Sequence, residues 1–306
     1  MEHGSRRAII AALIANLAIA VAKLVGFAFT GAASMLAESV HSLADTTNQG
    51  LLFLGGSKAR KAATADHPFG YGRERYFWGF VVALVIFSAG SVFALFEGID
   101  KLRTPHELTS AAWAVGILLV SLGLEGFSFR TAVREAKPLK GDGTWWHFIR
   151  TSKTPELPVV LLEDFGALIG LTLALIGVAL AELTGNPRFD AVGSVAIGLL
   201  LGAIAVTLVV EMKSLLIGEA ASPAMRASIR EAMGKTPLVL GVIHLRTEHI
   251  GPDELLVGAK VAFDTTLDVY GVAEAIDDVE RHIRAAVPEA RIIYIEPDVT
   301  RPAATA

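Results

Sequence analysis

Long stretches without charge recur along this chain, and they constrain its fold more than any other feature. A soluble domain carries about a quarter charged residues, whereas 19% of this chain is charged and 53% is hydrophobic. A helix needs about 20 mostly apolar residues to cross the roughly 30 Å hydrocarbon layer of a bilayer. Six segments reach that length once one or two polar residues are admitted: 7–30, 33–55, 76–99, 111–130, 158–182 and 189–213. The sequence therefore predicts a polytopic α-helical membrane protein with six transmembrane helices, and residues 1–217 form its membrane domain.

The start of the chain has two arginines before an apolar run, which is also the pattern of a secretory leader. The run is longer than a leader requires, lacks a clear small-residue cleavage site and is followed by further apolar segments. We therefore interpret it as the first transmembrane helix. Because the chain contains no cysteine, disulfides and thiolate metal sites are excluded.

The basic residues predict how the chain is oriented in the membrane. Thirteen Lys and Arg residues precede the first span or lie in the second-to-third and fourth-to-fifth connections, against three on the other side. Cytoplasmic loops carry the excess of Lys and Arg. The N- and C-termini are therefore both expected in the cytoplasm. Short loops favour a bacterial inner membrane, and the net charge of −4 gives no indication of nucleic-acid binding.

Four polar residues recur inside the second predicted span. Glu38, His41, Asp45 and Asn48 are spaced three, four and three residues apart, so at about 100° per residue they share one narrow stripe of a helix. A charge at the bilayer centre costs at least about 2.5–3.5 kcal/mol. These residues therefore need a partner, a cavity or a function.

A histidine and carboxylates on facing helices can bind a divalent transition metal. His41 and Asp45 are neighbours on a helix because they stand at positions i and i+4, and the fifth span adds Glu163 and Asp164. Nitrogen and oxygen ligands suit zinc, and without sulfur they also accept cobalt, iron, manganese or cadmium. The alternative is a structural role, in which Lys23 neutralises a nearby carboxylate. A stripe of three ionisable residues facing a second acidic helix favours a functional site.

The last part of the chain, 218–306, has a different character. Charge rises, no long apolar run remains, and the patterns follow the order helix, strand, strand, helix, strand. Ser222 is a plausible N-cap with Pro223 at the first helical position. The sequence predicts a small cytoplasmic α+β domain with two helices on one face of a sheet.

Several stretches resemble one known family. "NLAIAVAKLVGFAFTGAASMLAESVHSLADTTNQ", "HPFGYGRERY" and "RFDAVGSVAIGLLLGAIAV" are similar to the cation diffusion facilitator family of divalent-metal transporters, and the resemblance covers essentially the whole chain. "HPFGYGRERYFW" and "FIRTSKTPELPVVLLED" resemble the branch that contains the ninth mammalian zinc transporter and its bacterial relatives. The resemblance implies a homodimer with a ferredoxin-like cytoplasmic dimerisation domain. It also implies export of a cytoplasmic divalent ion, usually Zn2+, in exchange for protons.

The resemblance also implies a set of metal ligands. The family's transport site joins an HxxxD or DxxxD pair of the second span to an HxxxD pair of the fifth. His41 and Asp45 match the first pair, and Asp164 matches the last position of the second pair. Val160 stands where the family has histidine, so Glu163 or water would complete the shell. An oxygen-richer site leaves Fe2+, Mn2+, Co2+ and Cd2+ as alternative substrates.

Two residues of the stripe remain outside this ligand set. Glu38 and Asn48 are expected to line the ion's route or to orient the ligands. His41 must be neutral to bind a metal, so metal and proton would compete for its nitrogen. The interpretation is a metal/proton antiporter and not an enzyme, because HExxH and nucleophile arrangements are absent. A non-transporting metal-responsive scaffold and a channel remain as alternatives.

The connection between the second and third spans offers a weaker metal site. The family's loop site uses two histidines and an acid. This chain keeps the acid as Asp66 and one histidine as His67, but Tyr71 stands at the position of the second histidine. A tight turn through Pro68 and Gly70 is the favoured interpretation.

In the cytoplasmic domain, Lys260 and Glu296 stand near the places of the family's regulatory metal ligands. A lysine cannot bind a cation unless it is deprotonated, so we expect a dimerisation module without the family's zinc cluster.

Overall fold

The computed structural model describes residues 17–105 and 111–299. Residues 7–16 of the first predicted span lie outside this part of the chain. The structure divides into two compact units: the first comprises the chain up to Ser57 together with Phe77–Lys213, and the second comprises Lys58–Tyr76 and the chain from Ser214 onward. Each unit is described by itself.

The first unit consists of helices. They are α1 (Leu17–Thr30), α2 (Ala33–Ala59), α3 (Glu74–Val81), a π-helical stretch (Val82–Phe87), α4 (Ser88–Arg103), α5 (Ala111–Lys140), α6 (Trp145–Thr151), α7 (Glu156–Thr184) and α8 (Arg188–Ile217). Four helical stretches of the described chain are long and apolar enough to cross a membrane: Glu74–Arg103, Ala112–Lys140, Glu156–Thr184 and Arg188–Ile217. Helix α1 is apolar but shorter over its described length, and polar residues interrupt the apolar sequence of α2.

Small residues are common inside this helical unit, and many large apolar ones lie on its surface. Alanines of α2, α4, α5, α7 and α8 are buried, and helices α4 and α8 approach closely at Gly198, where a Cβ would lie 2.7 Å from Leu95 Cγ. Phe96, Trp113 and Phe127 are mostly exposed. Membrane helices pack through small residues because lipid already solvates large apolar side chains. The surface of this unit therefore fits a bilayer.

A carboxylate of another helix fixes the beginning of α2. Asp190 of α8 is buried and accepts hydrogen bonds from the backbone N–H of Ala33, at 2.6 Å, and of Ser34, at 3.3 Å. The first N–H groups of a helix have no partner within the helix, so Asp190 caps α2 from a residue 157 positions away in sequence. Gly31, with φ of 66°, allows the sharp turn that precedes α2.

The second unit contains a small α+β domain. It consists of α9 (Pro223–Met233), β1 (Val239–Gly251), β2 (Glu254–Phe263), α10 (Val269–Ala286) and β3 (Ile292–Asp298). Strand β2 lies at the centre of the sheet, antiparallel to β1 and parallel to β3. The predicted order of elements is confirmed. So is the predicted cap, because the Ser222 side chain accepts a hydrogen bond from Met225 N–H at 3.2 Å.

The connection from α2 to α3 belongs to this second unit. Gly70 has φ of 80°, and its N–H donates to the His67 carbonyl at 3.0 Å, which confirms the predicted turn. Arg73 forms an ion pair with Glu248 of β1. Gly72 lies so close to the Ile250 carbonyl that a Cβ would collide with it. The connection therefore packs against the β1–β2 hairpin.

Candidate metal site

The polar stripe of α2 is a buried face of the helix. Glu38, His41, Asp45 and Asn48 are each at most 6% exposed, whereas Leu43 between them is 52% exposed. The spacing of the four residues predicts a common face, and the structure confirms it. Leu43 and Leu54 point outward, whereas Met35 and Leu52 are buried, so the buried face of this helix contains both charged and apolar side chains.

His41 and Asp45 are brought together by the helix itself. Nδ1 of His41 and Oδ1 of Asp45 are 3.5 Å apart, at positions i and i+4. Both side chains are buried. A small rotation of either side chain would direct one nitrogen and one carboxylate oxygen to a shared ion.

The two neighbouring carboxylates of α7 point to different helices. Glu163 faces α2, where it accepts a hydrogen bond of 2.6 Å from Nδ2 of Asn48. Asp164 faces α5, where it accepts a hydrogen bond of 3.0 Å from the Ser128 hydroxyl. Consecutive residues of a helix project about 100° apart. Both carboxylates are buried, but each has its own partner.

Val160, at the place of the family's histidine, has an apolar environment. It packs against a small cluster that includes Ala132 and Ala136 of α5, Phe148 of α6 and Leu161 of α7. This part of α7 therefore serves packing with α5 and α6. A ligand that completes the site must come from another position.

Across the described residues, no three His, Asp or Glu side chains converge closely enough to hold a metal ion. His41 and Asp45 form a pair, while Glu163 and Asp164 are held apart by hydrogen bonds. Asn48 Oδ1 is buried and has no hydrogen-bond partner in the described part of the chain. Binding of an ion by all four predicted ligands requires the carboxylates of α7 to turn away from Asn48 and Ser128.

Glu38 has a charged partner on α1. Lys23 Nζ lies 3.1 Å from Oε2 of Glu38 and donates a 2.7 Å hydrogen bond to the Ser42 hydroxyl. The interpretation that Lys23 neutralises a carboxylate is confirmed for Glu38. Sequence analysis missed Ser42 and Ser128, although Ser42 stands one helical turn after Glu38 on the same face of α2.

A cavity of about 880 Å³ lies between α1 and α5. Its walls are mostly apolar, with the polar exceptions Glu125, Ser121, Ser128 and Thr131. Since Ser128 also donates to Asp164, the cavity adjoins one of the predicted ligands. The sequence alone marks Glu125 as an intramembrane carboxylate but not the space beside it.

The predicted loop site has an exposed position. Asp66 and His67 are both exposed, and the His67 ring stacks at a tilt on Tyr71, with ring centroids 4.6 Å apart. These contacts stabilise the turn, so the geometry fits the interpretation of this loop as a tight turn.

In the cytoplasmic domain, Lys260 lies between two carboxylates. Its Nζ is 2.9 Å from Glu296 and 3.1 Å from Asp298. Hydrogen bonds to these carboxylates raise the pKa of Lys260 above its ordinary value. The ammonium group therefore stays charged and occupies the space between the two acids.

Comparison with known proteins identifies the class. The cation efflux transmembrane domain matches residues 9–217, and the cytoplasmic domain of cation efflux proteins matches residues 221–298. The chain therefore belongs to the cation efflux, or cation diffusion facilitator, family, which transports metal cations. The family resemblance inferred from the sequence is confirmed.

The similar relatives include the predicted branch. The mitochondrial proton-coupled zinc antiporter SLC30A9 of Xenopus laevis is 34% identical over 263 residues, which are 85% of this chain and 47% of the relative. Metal tolerance protein C4 of Arabidopsis thaliana is 31% identical, over 86% of this chain and 58% of the relative. This chain thus spans about half the length of these relatives. A solved variant of MamM-CTD covers 26% of this chain and all of that structure, at 22% identity and a TM-score of 0.25.

Proposed function

We propose that this protein exchanges cytoplasmic Zn2+ for protons across a membrane. The observation that carries the proposal is the buried His41–Asp45 pair of α2, with Glu163 of α7 hydrogen-bonded to Asn48 on the same stripe of α2. Relatives that are 31–34% identical include proteins named proton-coupled zinc antiporters. The chemistry of the side chains and the activity of these relatives point to the same function.

The proposed ligands are His41, Asp45 and Asp164, with Glu163 completing the shell. Each must be deprotonated when it binds the ion. Neutral His41 offers a nitrogen to the metal, and the same nitrogen takes a proton after the metal leaves. An acidic medium on the far side of the membrane would therefore favour release of the ion, and a less acidic cytoplasm would favour its binding.

The proposed binding step moves both carboxylates of α7. Glu163 gives up the amide N–H of Asn48, and Asp164 gives up the hydroxyl of Ser128, when they turn toward His41 and Asp45. Asn48 and Ser128 are otherwise the hydrogen-bond donors of these two carboxylates. These hydrogen bonds keep the buried acids satisfied, since an unsatisfied buried polar group is costly.

The proposed assembly is a homodimer with six transmembrane helices. Residues 1–217 form the transport domain and 218–306 form the cytoplasmic dimerisation domain, with both termini in the cytoplasm. The bacterial inner membrane is the proposed location. Alternating access would arise from rocking of the helices around the site.

The choice of ion depends on the ligands. The four proposed ligands contain one nitrogen side chain and three carboxylates, and an oxygen-rich site tilts selectivity toward harder ions. Export of Fe2+, Mn2+ or Co2+ by the same mechanism is therefore the second candidate. A scaffold that binds metal without transporting it is the third, because the α7 carboxylates are held apart.

Transport in liposomes tests the proposal. Purified protein is reconstituted with its cytoplasmic face outward and an acidic lumen, and uptake of Zn2+, Co2+, Fe2+ and Mn2+ is measured separately. Asp45→Ala and Asp164→Ala are compared with Asp142→Ala, an exposed loop acid outside both predicted metal sites that serves as the matched control.

Three outcomes are distinct. Uptake that requires Asp45 and Asp164, is unchanged by Asp142→Ala and collapses with the pH gradient establishes antiport and identifies the ion. Binding without uptake favours the scaffold. Uptake that is indifferent to all three substitutions overturns the assignment of the site.

A further inference from the structure

The ion pair between Lys23 and Glu38 joins three helices inside the membrane unit. Both side chains are completely buried, with Nζ of Lys23 3.1 Å from Oε2 of Glu38 and 2.7 Å from the Ser42 hydroxyl. The other carboxylate oxygen, Oε1, lies against Gly170 of α7, where a Cβ would collide with it. Helices α1, α2 and α7 therefore meet at this pair.

The pair lies at a defined level relative to the proposed metal site. Glu38 precedes His41 by three residues, about 4.5 Å along the axis of α2, and precedes Asp45 by about 10 Å. The C-terminal end of α2 leads directly into the connection 58–76, whose five Lys and Arg residues assign it to the cytoplasmic side by the excess of basic residues in cytoplasmic loops. The metal ligands are thus nearer the cytoplasm, and the ion pair lies on their far side.

The helices are crowded at the level of this buried ion pair. It fills the space between α1, α2 and α7 with two charged side chains, and no exposed atom of either remains. A divalent cation that moves outward along the stripe meets the positive charge of Lys23 before it meets the medium.

We infer that the Lys23–Glu38 pair is the gate on the non-cytoplasmic side of the transport site. The Lys23 ammonium neutralises Glu38 while the gate is closed. Opening toward the far side separates the pair and exposes the stripe. The inference rests on the proposed function, because it assigns a direction to the route through that site.

The absence of cysteine from these 306 residues makes the gate testable. Asp45→Cys places a single thiol at the metal site, and its reaction with a membrane-impermeant methanethiosulfonate reagent reports access of water to that level. The full-length protein is reconstituted, and the reagent is added from one face at a time. The rate does not require transport, so failure of the gate and failure of antiport are distinguishable.

The gate predicts a one-sided change in the labelling rate. Adding Lys23→Met to Asp45→Cys should increase labelling from the non-cytoplasmic face at least tenfold and leave the rate from the cytoplasmic face within twofold. The exchanged pair Lys23→Glu with Glu38→Lys should restore slow labelling. Lys137→Met, at an exposed lysine of α5, should change neither rate.

Other outcomes overturn the inference. Equal acceleration from both faces means that the pair only stabilises the packing, and an unchanged rate from the far face means that another element closes the route. If Lys23→Met does not fold, Glu38→Gln removes the ion pair with a smaller change in volume. Lys23→Arg then serves as the charge-preserving partner, which should keep far-side labelling slow.

Discussion

Two lysines of this protein bind carboxylates at similar distances in very different surroundings. Lys23 lies 3.1 Å from Glu38 inside the membrane unit, with both side chains completely buried. Lys260 lies 2.9 Å from Glu296 and 3.1 Å from Asp298 in the cytoplasmic domain, where the lysine side chain is 25% exposed and that of Glu296 is 64% exposed. Both are pairs of an ammonium group and a carboxylate, so their contributions to stability differ because only the second pair is in contact with water.

Solvent decides what each pair can do. Water and salt screen an exposed pair, which therefore contributes little to stability. A buried pair cannot exchange its partner for water, so loss of one member leaves an unpaired charge. The membrane unit therefore depends on its few polar contacts individually, while the cytoplasmic domain depends on its apolar core. Four stability measurements test this difference between the two units.

The largest effect is expected at the buried pair. Glu38→Ala leaves the Lys23 ammonium without its carboxylate, and loss of one partner of a buried pair costs about 3–5 kcal/mol. Thermal unfolding of the full-length protein in detergent measures the loss. Lys23→Met combined with Glu38→Leu should recover most of it, because no charge remains buried. A double variant as unstable as Glu38→Ala would contradict this account.

The next effect is expected at the amide that holds Glu163. Asn48→Ala removes the 2.6 Å hydrogen bond to this buried carboxylate, and an unsatisfied buried acceptor costs about 1–3 kcal/mol. The neighbouring Thr47→Ala is the matched control, since Thr47 is exposed and its hydroxyl donates only to the Leu43 carbonyl of its own helix. Chemical denaturation of both variants should separate them. Equal losses of stability in the two variants would mean that the hydrogen bond from Asn48 to Glu163 does not contribute measurably to stability.

A pair of helix caps gives a smaller and closely matched test. Asp190 caps α2 from α8 within the membrane unit, and Asp268 caps α10 locally, accepting from Gly271 N–H at 2.8 Å in the cytoplasmic domain. Replacement of an N-cap by alanine costs about 0.5–2 kcal/mol. The loss of stability should be near the upper end of this range for Asp190→Ala and near the lower end for Asp268→Ala, as measured by thermal unfolding. The reverse order would show that burial does not strengthen the cap.

The smallest effect is expected at Lys260, and it should depend on pH. The pKa of Lys260 is raised in the folded protein by hydrogen bonds to Glu296 and Asp298. Its contribution is therefore complete below the ordinary lysine pKa of 10.5 and is lost as the pH rises through the higher folded value. Comparison of native protein with Lys260→Met across this range should show a small difference that vanishes at high pH. A difference that grows with pH would give the opposite sign and contradict the assignment.

The sequence predicted more of the architecture than of the site. The periodicity of Glu38, His41, Asp45 and Asn48 predicted a common buried face, because neighbours at three and four residues are fixed by the geometry of one helix. The order of elements in the cytoplasmic domain followed from local patterns in the same way. Both predictions concern residues close together in the chain, and the structure confirms both.

The partners of the charged residues were less predictable. Nothing in the sequence distinguished Asn48 as the partner of Glu163 or Ser128 as the partner of Asp164, because 115 and 36 positions separate the two members of each pair. The capping of α2 by Asp190 of α8 could not be predicted from the sequence for the same reason. Helix packing brings such residues together, and single-sequence periodicity contains no information about which helices become neighbours.

The apolar helices, the polar stripe within one of them and the small α+β domain can all be predicted from the amino-acid sequence. These features depend on composition and on the repeat of one helix or strand. The packing of the helices is needed to show that Lys23 pairs with Glu38, and that Glu163 and Asp164 face different helices. The physical reason is that a buried charge takes whichever partner the packed helices place within reach, since water is not available as an alternative.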